Sequence, residues 1–99
     1  MLDKNKGAYC ELLASAWLLN QGYEVYRNVS QHGAADLVAI APDGVVLKID
    51  VKKQSRPKFS EEKYKYCVYT KDSIYVQRLK AKGLKVLVVD LENNSCEFL

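Results

Sequence analysis

Asp36, Asp50 and Lys52 are the residues of this sequence whose types and spacing point to chemistry. Asp36 lies in the apolar run Ala34 to Ala41, and Asp50 and Lys52 in the β-branched run Val45 to Gln54, with Pro42-Asp43-Gly44 between them as turn residues. A three-residue loop in which Gly44 supplies a positive φ sets Ala41 opposite Val45, and pairing symmetric about Asp43 then sets Asp36 opposite Asp50. Alternation along the two strands collects Ala35, Leu37, Ala39, Ala41, Val45, Leu47, Ile49 and Val51 on one wholly apolar face. The other face carries Ile40 and Val46 beside the turn and Asp36, Lys48, Asp50, Lys52 and Gln54 away from it. A slip of one residue would drive Asp50 and Lys52 into the core, so the patterning itself argues for this register.

Two carboxylates placed opposite each other on a sheet repel. A hard divalent cation reconciles them, because Mg²⁺ takes oxygen ligands and is typically held by one or two carboxylates with waters and substrate phosphate; Mn²⁺ is expected to substitute. Lys52, on the same face two residues beyond Asp50, adds positive charge within reach of whatever the metal binds. Such a set suits phosphodiester hydrolysis: the cation polarises the phosphate and acidifies a water, and the ammonium orients that water or steadies charge growing on phosphorus. A lone Asp-x-Lys is ordinarily no more than a solvated ion pair on an edge strand. Glu61-Glu62-Lys63 matches the same pattern here, in a charged stretch with neither an apolar alternate face nor an opposing acid.

These residues need elements to position them, and the first is a helix over Asp3 to Asn20. Leu12, Leu13, Ala16, Trp17, Leu19 and Asn20 follow helical spacing, and Gln21-Gly22 ends the run as a C-cap. Glu11 lies on a different strip, with the small residues Gly7, Ala8, Ala14 and Ser15 as its neighbours one turn away. A strip of small residues lets a helix approach a sheet closely, which would carry Glu11 toward the two aspartates; an acid on a helix is otherwise simply solvated. Tyr23 to Val29 alternates as a strand, with Tyr23, Val25 and Arg27 on one side. Ser30-Gln31-His32-Gly33 then leads into the hairpin. His32, the one histidine, sits in this loop and is read as a phosphate or base contact rather than as a general base.

Asp36 followed by Asp50-Val51-Lys52, with Glu11 on a preceding helix, resembles the PD-(D/E)xK nuclease superfamily, the restriction-endonuclease-like fold. Lys6-Gly7-Ala8-Tyr9-Cys10-Glu11, Gln21-Gly22-Tyr23-Glu24-Val25 and the stretch from Gly33 to Leu37 are similar to its Holliday-junction-resolvase-like and intron-endonuclease-like branches. The resemblance covers about the first 55 residues, and Ala35 stands where the name-giving proline would be. It implies that Asp36 and Asp50 are metal ligands, with the Val51 carbonyl as a third and Glu11 as a metal-shell carboxylate. Lys52 would be the catalytic base or water-orienting group, and Gln54 matches a polar position after that lysine.

The rest of the chain fits one domain over residues 1 to 99, with 48% hydrophobic and 27% charged residues and no repeat or low-complexity tract. Net charge is only +3, but Lys48, Lys52, Lys53, Arg56, Lys58, Lys63 and Lys65 gather beside the proposed site, where a phosphate backbone would approach; a solvated charged loop is the plainer reading. Lys53, Arg56, Lys58, Gln54 and His32 are therefore the nucleic-acid-binding candidates. The segment Ser55 to Thr70 reads as a helix after Ser60 or as a strand of aromatics, and Tyr64, Tyr66, Tyr69 and Tyr75 as base-stacking or core residues. Asp72 or Ser73 caps a helix running to Lys82 before Gly83; Leu84 to Leu91 is a buried strand, and Cys96 to Leu99 a closing strand after an Asn93-Asn94 turn. The expected fold is α/β: a restriction-endonuclease-like αβββαβ core with a mixed sheet flanked by helices.

Cys10, Cys67 and Cys96 are odd in number and far apart, which favours reduced thiols over a disulfide framework or structural zinc. Met1 to Lys6 has no apolar signal region, and no apolar run approaches the ~20 residues that span a bilayer. The expectation is a cytoplasmic or nucleoid-associated protein. Three functions fit: a Mg²⁺-dependent endonuclease acting on DNA, branched or otherwise structured DNA among its substrates, as a homodimer or higher homo-oligomer; a nuclease-fold nucleic-acid-binding module without turnover; and a scaffold domain, for which opposed acids have no purpose.

Overall fold

The computed structural model describes residues 3–30, 33–54 and 69–99. A single 3₁₀ turn at Asp3–Asn5 leads into α1 (Lys6–Asn20), followed by β1 (Glu24–Arg27), β2 (Leu37–Ile40), β3 (Val46–Lys53), α2 (Ile74–Ala81), β4 (Lys85–Asp90) and β5 (Ser95–Phe98). The strands form one mixed sheet in the order β1-β2-β3-β4-β5. All neighbours are antiparallel except β3 and β4, which run parallel through the crossover that contains α2. This is the expected α/β arrangement, with β5 added at the edge. The segment from Ser55 to Val68, with Arg56, Lys58, Tyr64, Tyr66 and Cys67, lies outside the described residues, as does His32.

The hairpin has the register that patterning demands. Leu37 pairs with Ile49, Ala39 with Leu47 and Ile40 with Val46, while the Ala41 and Val45 backbones close the loop at 2.8 Å. Gly44 sits at φ +91°, a conformation costly for a residue with a Cβ. Each face of the sheet is covered by one helix. Leu37, Ala39, Ile49, Leu87 and Val89 pack with Cys10, Ala14 and Leu18 of α1, while Val86 and Val88 pack with Val76 of α2. Because β3 and β4 alternate in step, Asp50 and Lys52 pair with Val86 and Val88 and so belong to the α2 face.

One expectation is corrected. The face of α1 turned to the sheet is Cys10-Ala14-Leu18, at i, i+4 and i+8, flanked by the half-buried Leu13 and Trp17. Leu12 and Leu19, assigned to the apolar stripe, are 53% and 60% exposed, and Ala16 and Asn20 are exposed too. Leucines lie on both sides of this helix, and the small Ala14 on one side allows the closer approach. That choice puts Glu11, the neighbour of Cys10, at the margin of the buried face.

Candidate active site

The site forms where β2 leaves β3. If the antiparallel ladder continued past Leu37 and Ile49, the Ala35 carbonyl would accept the Val51 N–H. Instead Asp36 bends away, its N–H donating to the Ile49 carbonyl at 2.9 Å, and its own Oδ2 accepts the Val51 N–H at 2.7 Å. The Asp36 side chain thus replaces a backbone acceptor, and its carboxylate is held against β3 one residue from Asp50. The displaced Ala35 carbonyl accepts Asn28 Nδ2 at 2.6 Å, the Asn28 N–H donates to the Asp36 carbonyl at 3.1 Å, and Asn28 Oδ1 accepts the Ser30 N–H at 2.7 Å. Asn28 is therefore the clasp of the loop that carries Asp36.

Asp50 is 14% exposed and forms an ion pair with Lys52, Nζ to Oδ2 at 3.3 Å. Asp50 Oδ2 is buried, and the Lys52 ammonium is the polar group that faces it among the described residues. Burial pushes the Asp50 carboxyl up; Lys52 opposes the rise and the Asp36 charge adds to it. Lys52 Nζ also lies 4.9 Å from the centre of the Tyr75 ring, from the first turn of α2, within range of a cation–π attraction. Burial works against the Lys52 ammonium, but its contacts with Tyr75 and Asp50 outweigh that and its pKa is raised. Lys52 is thus a fixed positive charge between a carboxylate and an aromatic ring.

Glu11 reaches the site from the α1 side. It shares with Arg27, Asn28 and Asp36 a polar cleft of about 280 Å³. Burial pushes its carboxyl up, Asp36 adds to the rise, Arg27 pulls against it, and Asp50 contributes further. The three acids therefore feel one another's charge. Among the described residues, however, no three Asp, Glu, His or Cys side chains gather closely enough to cage an ion. The donor chemistry that suits a hard cation is narrower: the buried Asp50 Oδ2 and the Asp36 carboxylate beside the Val51 backbone, an all-oxygen set carrying net negative charge. Oxygen donors of this kind are what a hard divalent cation takes, and Glu11 is coupled to them through charge.

The remaining expected residues are dispersed. Lys53 points to the opposite face, where its charge acts on the buried Cys10 thiol. The Gln54 amide clasps the Tyr69 backbone, accepting its N–H at 2.9 Å and donating to its carbonyl at 3.4 Å. His32, Arg56 and Lys58 are outside the described residues. Cys10 and Cys96 are free thiols, and burial pushes the Cys96 thiol up to about 11, which suits packing rather than nucleophilic chemistry. Sequence reasoning did not place Arg27, Asn28 or Tyr75 in the site. Arg27 had a signal, since it alternates with Tyr23 and Val25 and is a cation at an inward position of a strand. Tyr75 had none, because its contact with Lys52 crosses the β3-to-β4 connection.

The fold is a nuclease-like α/β architecture. The solved structure of a bacterial homing endonuclease, I-Ssp6803I, is similar to this chain over 99% of the chain's residues, with a TM-score of 0.66 and 15% sequence identity. This chain spans 64% of that protein's length. No family model and no curated protein sequence matches. No helix among the described residues is long and apolar enough to cross a membrane.

Proposed function

We propose that this protein is a metal-dependent endonuclease of the PD-(D/E)xK type that hydrolyses phosphodiester bonds in DNA, with structured or branched DNA among its candidate substrates. The observation that carries the reading is the buried Asp50 carboxylate, set beside the Asp36 carboxylate and paired with Lys52 on a nuclease-like fold. A buried carboxylate beside a second one, with a single ammonium between them and solvent, is a set of oxygen donors that suits Mg²⁺, or Mn²⁺ in its place. When bound, the ion would polarise the scissile phosphate and lower the pKa of a water.

The chain's own residues supply the rest. Val51 N–H keeps the Asp36 carboxylate at the end of β3. Lys52, positioned by Asp50 and Tyr75, brings positive charge to the phosphoryl oxygens as negative charge develops on them. Glu11 holds negative charge at the far wall of the cleft and favours a bound cation over a vacant site. One domain this small covers little of a duplex, so the protein acts as a homodimer or higher oligomer with one site on each strand.

The test is incubation with supercoiled, linear and four-way-junction DNA in Mg²⁺, Mn²⁺ or EDTA. Wild type should cleave with either metal and not in EDTA, and Asp50→Ala and Lys52→Ala should lose about 10²-fold or more in rate. Variants that cleave as fast as wild type overturn these roles. Binding without cleavage in any metal would make the protein a nucleic-acid-binding module, and a strict monomer by sedimentation on a cleavable duplex would remove the oligomer.

A further inference from the structure

The cleft beside Asp36 holds a cation that the proposed chemistry does not use. Arg27 closes β1, paired in register with the buried Leu37, so its exposed side chain leaves the sheet on the α1 side, where Glu11 and Asp36 also line the cleft. Among the described residues no carboxylate lies within 4 Å of its guanidinium, and it is the one cation of the cleft lining. The cleft is polar and large enough for a phosphate with its water. An anion entering it would be repelled from the wall of acids unless a cation received it from the other side.

We propose that Arg27 is a phosphate-binding residue, its guanidinium taking two oxygens of a nucleic-acid phosphodiester in the cleft that it shares with Glu11 and Asp36. Arginine suits the task because its planar fork matches phosphate bidentately and stays charged at every working pH. Its place on the edge strand leaves the approach open on the side away from the sheet. The identity of the ligand as nucleic acid rests on the nuclease reading; the contact itself does not require turnover.

The test therefore measures binding and not cleavage. Anisotropy titrations of a fluorescent duplex and a four-way junction in EDTA, from low to moderate salt, give the slope of log K against log salt concentration. Each phosphate contact contributes about 0.9 to that slope. Arg27→Gln should lower its magnitude by about one and weaken low-salt binding roughly tenfold. Arg27→Lys should restore the slope but only part of the affinity, since it keeps the charge and loses the fork. Lys82→Gln, at the C-terminal end of α2 and so at the far end of that helix from Tyr75 and Lys52, removes the same charge elsewhere and should leave the slope as in wild type. A slope for Arg27→Gln equal to that of wild type, a change no larger than that of Lys82→Gln, or wild type that does not bind overturns the proposal. A protein that shows the slope change and never cleaves would refute hydrolysis and keep Arg27 as a phosphate contact.

Discussion

The Asp36 carboxylate accepts the Val51 N–H at 2.7 Å, in the place that the Ala35 carbonyl would occupy in an unbroken ladder. One side chain thus ends a strand pairing and sets a candidate ligand beside Asp50. Asp36→Asn keeps an acceptor oxygen for Val51, whereas Asp36→Ala leaves that N–H bare. We expect Asp36→Ala to lose about 1–3 kcal/mol of stability in urea, with Asp36→Asn staying within about 1 kcal/mol of wild type and both losing cleavage. Equal urea midpoints for the two variants would show that the hydrogen bond contributes nothing to the fold.

Asp50 gives a prediction of opposite sign. Burial, with the Asp36 charge, raises its folded pKa above the ordinary 3.8, against the pull of Lys52. The folded state therefore holds the proton more tightly than the unfolded chain does. Below the ordinary value both states are protonated and the site costs nothing; as pH rises through the folded pKa, ionisation is penalised and stability falls. Asp50→Asn should thus melt higher than wild type at pH 7, by about 3 °C for a domain of this size. The difference should shrink at pH below 4, with cleavage abolished throughout. Adding Mg²⁺ should raise the melting temperature of wild type and not of Asp50→Asn. A variant that melts lower than wild type at pH 7 would mean that the Lys52 pair outweighs the crowding.

Much of this was legible in the sequence, and the parts that were not have identifiable causes. The hairpin register follows from strict alternation and Gly44, and α2 and β4 follow from Gly83 and the run of β-branched residues, while Ser73 stands at the N-cap with its hydroxyl turned to the Thr70 N–H and not to the helix. The orientation of α1 was not legible, because leucines lie on both sides and close packing at Ala14 decides between them. Alternation also runs unbroken through Ala35 and Asp36, with no glycine or proline to mark the bend at Asp36. The site residues Glu11, Asp36, Asp50 and Lys52 do converge on one end of the sheet, as electrostatic neighbours rather than as a three-acid cage. The roles of Asn28, Arg27 and Tyr75 depend on contacts between segments that only folding brings together.

Tyr75 is the clearest of these. Its ring lies 4.9 Å from Lys52 Nζ and 6.1 Å from the Tyr69 ring, so α2 helps to aim the lysine. Tyr75→Ala should lower kcat about tenfold with little change in KM, as expected for a residue that positions a transition-state contact. Tyr75→Phe keeps the ring face but loses the hydroxyl that bonds Lys52, and should recover only part of that loss. If Tyr75→Ala raises KM alone, the residue binds substrate directly, and the positioning role is wrong.

Gly33 tests the clasp at Asn28. A Cβ built on Gly33 would overlap Asn28 Nδ2, the atom that donates to the Ala35 carbonyl. Gly33→Ala should therefore expel the Asn28 side chain and release both the Ala35 carbonyl and the loop that carries Asp36. Because that loop is exposed, water can satisfy the freed groups, so the cost in stability should be modest, about 1 kcal/mol. The cost in activity should be far larger, about 10²-fold, because Asp36 loses its fixed approach to Val51. Asn28→Ala should show the same pairing of small stability loss and large activity loss. The double variant should be no worse than either single one, since both remove a single clasp. Additive effects in the double variant would mean that Gly33 and Asn28 act separately, and that the bend at Asp36 is held by something other than the Asn28 hydrogen bonds.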